Sequence, residues 1–364
     1  MPRPRFLAPW KNSTTKPALY HCISRVVDRR FVLNENEREH FRKFMRMQEN
    51  FSGCRILSYC LMSNHFHILL EVPPFPANGL TDDQLLQRLR ATYTEPIVAT
   101  IAKELAEARK QNRETHAAEI HARFTYRMHD LSEFMKTLLQ RFTRWFNRTH
   151  DRAGTLWEER YKSVIVEDGT AARTIAAYID LNPVRAGIVA DSAQYRWSSY
   201  GEAIGGGPKG NGKKSREGIV RAFLGHQGIG FDSTKWPETS RQYRRLMGLA
   251  LERKNGRANL TKPRKQKRKT PKPQQNTAEM LESGENDTLL PEHTLATILL
   301  HRIRYFTDGA VIGSKAFVND TFQAARHRFP STRKTGARPL KGPAKQANNL
   351  LFSLRDLRVR LTRS

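Results

Sequence analysis

Cysteine is nearly missing: Cys22, Cys54 and Cys60 are the only three in 364 residues. Their odd number, without a C-x-x-C pair, excludes a disulfide framework and a zinc knuckle. Any bound metal then has to be held by His, carboxylate or amide groups, which suits harder ions or zinc. Acid is scarce as well, with 35 Asp plus Glu against 63 Lys plus Arg and a net charge of +28. That surplus favours an anionic partner, nucleic acid before a membrane surface. No stretch approaches the roughly 18–20 apolar residues of a spanning helix, and "MPRPRFLAPW" lacks the apolar core of a signal peptide. A cytoplasmic, nucleoid-associated protein without a membrane partner is the expectation.

What is present reads as an α+β chain. Residues 19–33, "LYHCISRVVDRRFVL", have strand character with a polar turn at 28–30. Phe41, Phe44, Met45 and Gln48 then follow helical spacing. "CRILSYCLMSNHFHILLEV" predicts two strands joined around 62–64. Strand, helix, strand, strand opens a sandwich in which helices cover an antiparallel sheet. Residues 81–122 are charged and Ala-rich, a helical insertion within about 76–130. Leu131, Phe134, Met135, Leu138, Phe142, Trp145 and Phe146 form the apolar stripe of a helix over 131–149, with Lys136, Arg141, Arg144 and Arg148 on its other face. "GTLWEERYKSVIVED" predicts a strand and 170–181 a helix.

Beyond residue 204 the character changes. "GEAIGGGPKGNGKKS" has linker composition, and 216–251 is helical by pattern, so 205–252 is a linker with a helical segment. Residues 253–272 hold ten Lys or Arg and no acid. With three prolines nearby, 253–287 is expected to be a disordered basic tether. Residues 288–364 regain periodicity as a small basic helical module, with helices in "LATILLHRIRYF" and "LLFSLRDLRVRL".

"SYCLMSNHFHILLEV", residues 58–72, carries the first chemical signal. Strand alternation sends His65, His67, Leu69 and Glu71 to one face and Phe66, Ile68, Leu70 and Val72 to the other. Two imidazoles about 6.6–7 Å apart along a strand can converge on one ion. They can equally be half-buried residues of an amphipathic strand. Downstream, Tyr178 and Asn182 are one helical turn apart in "TAARTIAAYIDLNPVRAGIV" and border the apolar face of Ala172, Ile175, Ala176 and Ile179. A core tyrosine is the plainer role for Tyr178. Asn182, just before Pro183, could simply cap a following helix.

In order along roughly residues 18–200, "HCISRVVDRRFVL", "SYCLMSNHFHILLEV", "GTLWEERYKS", "YIDLNPVRAGIV" and "WSSY" resemble the HUH single-tyrosine transposases, especially the REP-associated tyrosine transposases. The resemblance implies a ferredoxin-like, HUH-nuclease-like catalytic domain over 1–204. It implies a divalent metal, Mg²⁺ or Mn²⁺, on His65, His67 and Asn182, with Tyr178 as nucleophile. It implies cleavage and rejoining of single-stranded DNA beside palindromic repeat hairpins through a 5′-phosphotyrosine. Monomer and homodimer both remain open. For DNA contacts the chain offers Arg160 and Lys162 around Tyr161, and Arg141, Arg144 and Arg148. Two alternatives stand beside this reading: a DNA-binding protein that has lost catalysis, and a metal-dependent hydrolase drawing a third ligand from His116, His121 or Glu71.

Overall fold

The alternating residues of "ALYHCISR" form strand β1 (Ala18–Arg25), whose polar turn is a 3-10 turn with Asp28 and Arg29 at positive φ. These coordinates come from a computed structural model that describes residues 6–206, 210–225, 233–260, 295–296, 298–299, 303–340 and 350–355. Helix α1 (Glu35–Ser52) starts where the Glu37 carboxylate accepts the Asn34 backbone N–H, and ends at Gly53 in the left-handed conformation. Strands β2 (Arg55–Leu61) and β3 (His65–Val72) form the expected hairpin, closed by the Met62 N–H on the His65 carbonyl.

Three helices make up the insertion: α2 (Asp82–Leu89), α3 (Glu95–Lys110) and α4 (Glu114–Thr125). Leu85, Leu89, Val98, Ile101, Leu105 and Ile120 pack into a small core of their own, joined by Phe51 of α1. Helix α5 (Leu131–Thr149) begins at Asp130, whose side chain accepts the Glu133 N–H. Strand β4 (Lys162–Val166), helix α6 (Thr170–Asp180) and the short α7 (Asn182–Arg185) follow.

Among the described residues the sheet has seven strands in the order β2-β3-β1-β4-β5-β7-β6. β1 lies between β3 and β4, antiparallel to both, with Ile23 opposite His67 and Arg25 opposite His65. The Phe66 face is covered by α1 and α5, where Phe41 meets both Phe66 and Phe142. α6 covers β2 and β3 on the other face. This is the expected α+β architecture.

The region beyond 204 is built differently from the composition reading. The glycine-rich stretch is helical at both ends, in α8 (Ser199–Gly205) and α9 (Gly210–Leu224). Just beyond that stretch, within the segment expected to be helical, glycine serves close packing. A Cβ on Gly218 of α9 would sit 2.5 Å from the Ile56 carbonyl oxygen of β2. Gly218→Ala is therefore expected to cost about 1–3 kcal/mol in urea unfolding. A change within about 0.5 kcal/mol would show that α9 can move off the strand.

Helix α10 (Trp236–Leu260) extends into the first residues of the expected tether. Lys and Arg are good helix formers, and the first proline, Pro263, comes only after its end. Residues 261–287 lie outside the described residues. Helix α11 (Ile303–Asp308) falls in the expected "LATILLHRIRYF" segment, followed by β5 (Val311–Gly313), α12 (Lys315–Ala324), β6 (Arg338–Pro339) and β7 (Phe352–Leu354). The start of "LLFSLRDLRVRL" is thus strand rather than helix. β5 runs parallel to β4 and offers its free edge to β7, so pairing across the sheet overrides the helical pattern. Residues 356–361 of that pattern lie outside the described residues. No helix among the described residues is long and apolar enough to cross a membrane.

Candidate active site

Alternation along β3 brings His65 and His67 out of the sheet on the face covered by α6, with their ring centroids 5.1 Å apart. α6 sets Tyr178 edge-on to His67, centroids 5.6 Å apart. One turn on, the break between α6 and α7 at Leu181 carries Asn182. His65, His67, Tyr178 and Asn182 line one cavity of about 360 Å³. α6 is anchored by Asp180, which is buried and accepts the Tyr200 N–H at 2.9 Å and the Tyr243 hydroxyl at 2.7 Å. Burial pushes the Asp180 carboxyl up to about 7.

The donor set fits a divalent cation. His65 Nδ1 is 2.6 Å from Asn64 Oδ1, and the Asn64 amide nitrogen donates to the Arg29 carbonyl at 3.0 Å. With the amide so oriented, His65 carries its proton on Nδ1 and keeps a lone pair on Nε2. Asn182 donates through Nδ2 to the carbonyls of Tyr178 and Ile179, both at 3.2 Å, which leaves Oδ1 as an uncommitted acceptor. His67 makes its contact through Nδ1 too, 3.0 Å from His21 Nε2. Burial pushes His65 down to about 4, assisted by Arg25, and holds His67 well below the usual imidazole range. Both rings are therefore neutral at physiological pH, as metal coordination requires. Among the described residues no three or more His, Cys, Asp or Glu are grouped to hold a metal. The cavity lining around the pair includes the Asn182 amide and the carboxylates of Glu158, Glu159 and Asp308.

Tyr178 is 2% exposed. Its ring meets Phe306 of α11 at 5.0 Å and His21 at 5.9 Å, and the Arg185 guanidinium lies 5.3 Å from its centroid. Burial pushes the phenol up to about 12, with Arg185 pulling the other way. A phenol of that pKa is a weak nucleophile until its proton is removed.

Comparison with known proteins finds one sequence family. Residues 14–78 match the family described as Transposase IS200 like. The similarity lies in that segment. It spans β1 to β3 and so contains His65 and His67, but it is well under half of the chain and stops short of Tyr178. No curated protein matches the chain. A solved structure described as the REP-associated tyrosine transposase bound to a REP hairpin aligns at 12% identity. The alignment covers 58% of this chain and 88% of that one, with a TM-score of 0.35.

Around these strands, the other expected contact residues separate. Arg160 and Lys162 are exposed and line the cavity. Tyr161 between them is buried in the core, so it has no free face for a base, a correction to its expected role. It lies in the irregular segment just before β4, where its ring turns into the core while Arg160 and Lys162 stay exposed. Arg141, Arg144 and Arg148 lie on α5, on the far side of the sheet from Tyr178, and do not line this cavity. Arg141 is half-buried and reaches the Thr92 carbonyl of the insertion at 3.4 Å.

The third ligands that a hydrolase would need are elsewhere. His116 and His121 belong to α4 and contact Glu119 and Asp82. Glu71 is paired with Arg221 of α9 at 2.6 Å.

Several cavity or contact groups escaped the sequence reading, among them His21, Arg25, Glu158, Glu159, Thr307 and Asp308. His21 and Arg25 share the alternation of the histidine face, but only the β1–β3 register reveals it. Thr307 and Asp308 arrive from more than a hundred residues away with no local signal.

Proposed function

We propose that this chain is a metal-dependent single-tyrosine transposase that cuts and rejoins single-stranded DNA beside repeat hairpins. The observation that carries the reading is the convergence of His65, His67, Tyr178 and Asn182 on one cavity, with His65 Nε2 and Asn182 Oδ1 left as uncommitted acceptors. His65, His67 and Asn182 would hold Mg²⁺ or Mn²⁺, which when bound supplies Lewis-acid polarisation of the scissile phosphate. The DNA substrate, the hairpin and the 5′-phosphotyrosine follow from the resemblance of the motifs, and the IS200-like match over β1–β3 supports the transposase class.

Tyr178 oxygen attacks the phosphorus, the bond to the 3′-oxygen breaks, and that oxygen leaves as a 3′-hydroxyl. The 5′-phosphotyrosine conserves the bond energy, so a second 3′-hydroxyl can displace the tyrosine and reseal the strand without ATP. Arg160 and Lys162 neutralise the DNA backbone at the cavity mouth. Arg185, beside the Tyr178 ring, favours the phenolate.

Incubation with 3′-labelled single strands and hairpins plus Mg²⁺ or Mn²⁺ tests the proposal. A labelled protein–DNA adduct is expected, together with an unlabelled fragment ending in a 3′-hydroxyl. Cleavage without an adduct would assign the reaction to water, and binding without cleavage would leave a DNA-binding protein. Replacing both Arg160 and Lys162 by alanine is expected to weaken single-strand binding and reduce the salt slope by about one to two ions, measured by titration at several salt concentrations. An unchanged slope would remove both residues from the DNA path.

A further inference from the structure

His21 plays no part in the chemistry above, yet it is fully buried between the candidate metal site and the C-terminal region. Its Nδ1 lies 2.8 Å from the backbone carbonyl oxygen of Phe306, and its Nε2 lies 3.0 Å from His67 Nδ1. A carbonyl oxygen can only accept, so His21 Nδ1 carries the hydrogen. A neutral ring protonated on Nδ1 has only a lone pair on Nε2, so the hydrogen between the two rings belongs to His67 Nδ1. His67 is then left with its own lone pair on Nε2. The order of donation runs from His67 to His21 to Phe306 and cannot be reversed without placing two acceptors against each other.

We propose that His21 is a positioning residue for His67, and that helix α11 sets the pattern through the Phe306 carbonyl. The consequence is a metal site whose ligand tautomer is dictated by backbone 239 residues further along the chain than His67. His65 reaches the same tautomer by a local route, through Asn64 held on the Arg29 carbonyl. His67 has no such neighbour and takes its acceptor from β1. Stacking supports the geometry: the His21 and His67 rings are 5.2 Å apart and inclined by 22°. The same α11 residue packs on Tyr178, so one segment touches both the ligand relay and the proposed nucleophile.

The inference rests on the proposed metal role of His67, and its test keeps the two separable. Selective ¹⁵N-histidine labelling of the full chain without metal reads the tautomers directly. Nδ1–H on both His21 and His67 is expected, and an Nε2–H on His67 would overturn the relay. Mn²⁺ affinity, followed by electron paramagnetic resonance, gives a readout independent of DNA cleavage. His21→Phe keeps a ring but removes the acceptor, and is expected to weaken Mn²⁺ binding about 10–100-fold. His21→Gln, whose side-chain oxygen can accept, is expected to recover part of that loss. Wild-type affinity in His21→Phe would overturn the proposal, as would equal losses in both variants with unchanged His67 tautomer. If wild type binds Mn²⁺ but forms no tyrosine adduct with DNA, the transposase reading fails while the His21 result stands. Should His21→Phe fail to fold, the wild-type tautomer spectrum still decides.

Discussion

Tyr178→Phe is expected to abolish the protein–DNA adduct and to lower strand cleavage by on the order of 10³-fold or more, because the only atom removed is the attacking oxygen. The substitution spares the surroundings. The ring contacts with His67, His21, Phe306 and Arg185 are made by carbon and π surface that phenylalanine retains. Folding and Mn²⁺ affinity should therefore match wild type, and single-strand binding should persist. That combination separates a lost nucleophile from a damaged site. Residual cleavage within about tenfold of wild type would show that Tyr178 is a core tyrosine after all. The phenol, pushed up to about 12 by burial, adds a second check. Where proton loss from Tyr178 limits the rate, cleavage should rise with pH throughout the accessible range, because the reactive phenolate is the minor form below about 12.

Arg221→Met is expected to destabilise the fold by about 3–5 kcal/mol in urea unfolding. Arg221 is buried on α9 and reaches Glu71 at 2.6 Å and Asp168 at 2.9 Å. Glu71 is fully buried on β3, and Arg55 also lies beside it, at 3.7 Å. Removing Arg221 takes the nearer cation away from a buried carboxylate, and that exceeds what the lost packing alone would cost. The remedy should be equally specific. Adding Glu71→Leu to Arg221→Met is expected to recover most of the loss, since the buried charge disappears with its partner. Additive losses in the double variant would instead locate the importance of Arg221 in its packing between α9 and the sheet. Glu71 sits on the same strand face as His67, so the double variant also tests whether this pair helps to hold β3 in place for the site.

Local pattern made much of this molecule legible. The alternation of "NHFHILLEV" fixed which side of β3 the histidines occupy, because a strand has only two faces and Phe66, Ile68 and Leu70 had to be buried. The apolar stripe from Leu131 to Phe146 located α5, and the four-residue step from Tyr178 to Asn182 put both on one side of a helix turn. The insertion was visible as a break in the strand pattern. Composition was a poorer guide where backbones approach closely. The glycines of 201–215 read as a linker, whereas a Cβ on Gly206 would come 2.9 Å from Gly212 Cα, so they let α8 and α9 meet closely.

Tertiary structure alone decided the rest. Tyr161 points inward, and the α5 arginines lie behind the sheet, because each side chain's direction depends on which layer its element joins. His21 meets His67 only through the β1–β3 register, and Phe306 meets His21 across 285 residues of chain. The pairing of β5 with β4 brings Thr307 and Asp308 to the cavity. Periodicity reports the face an element buries. Which partner it meets depends on contacts between distant segments, whose cooperative packing leaves no mark within a short window of sequence.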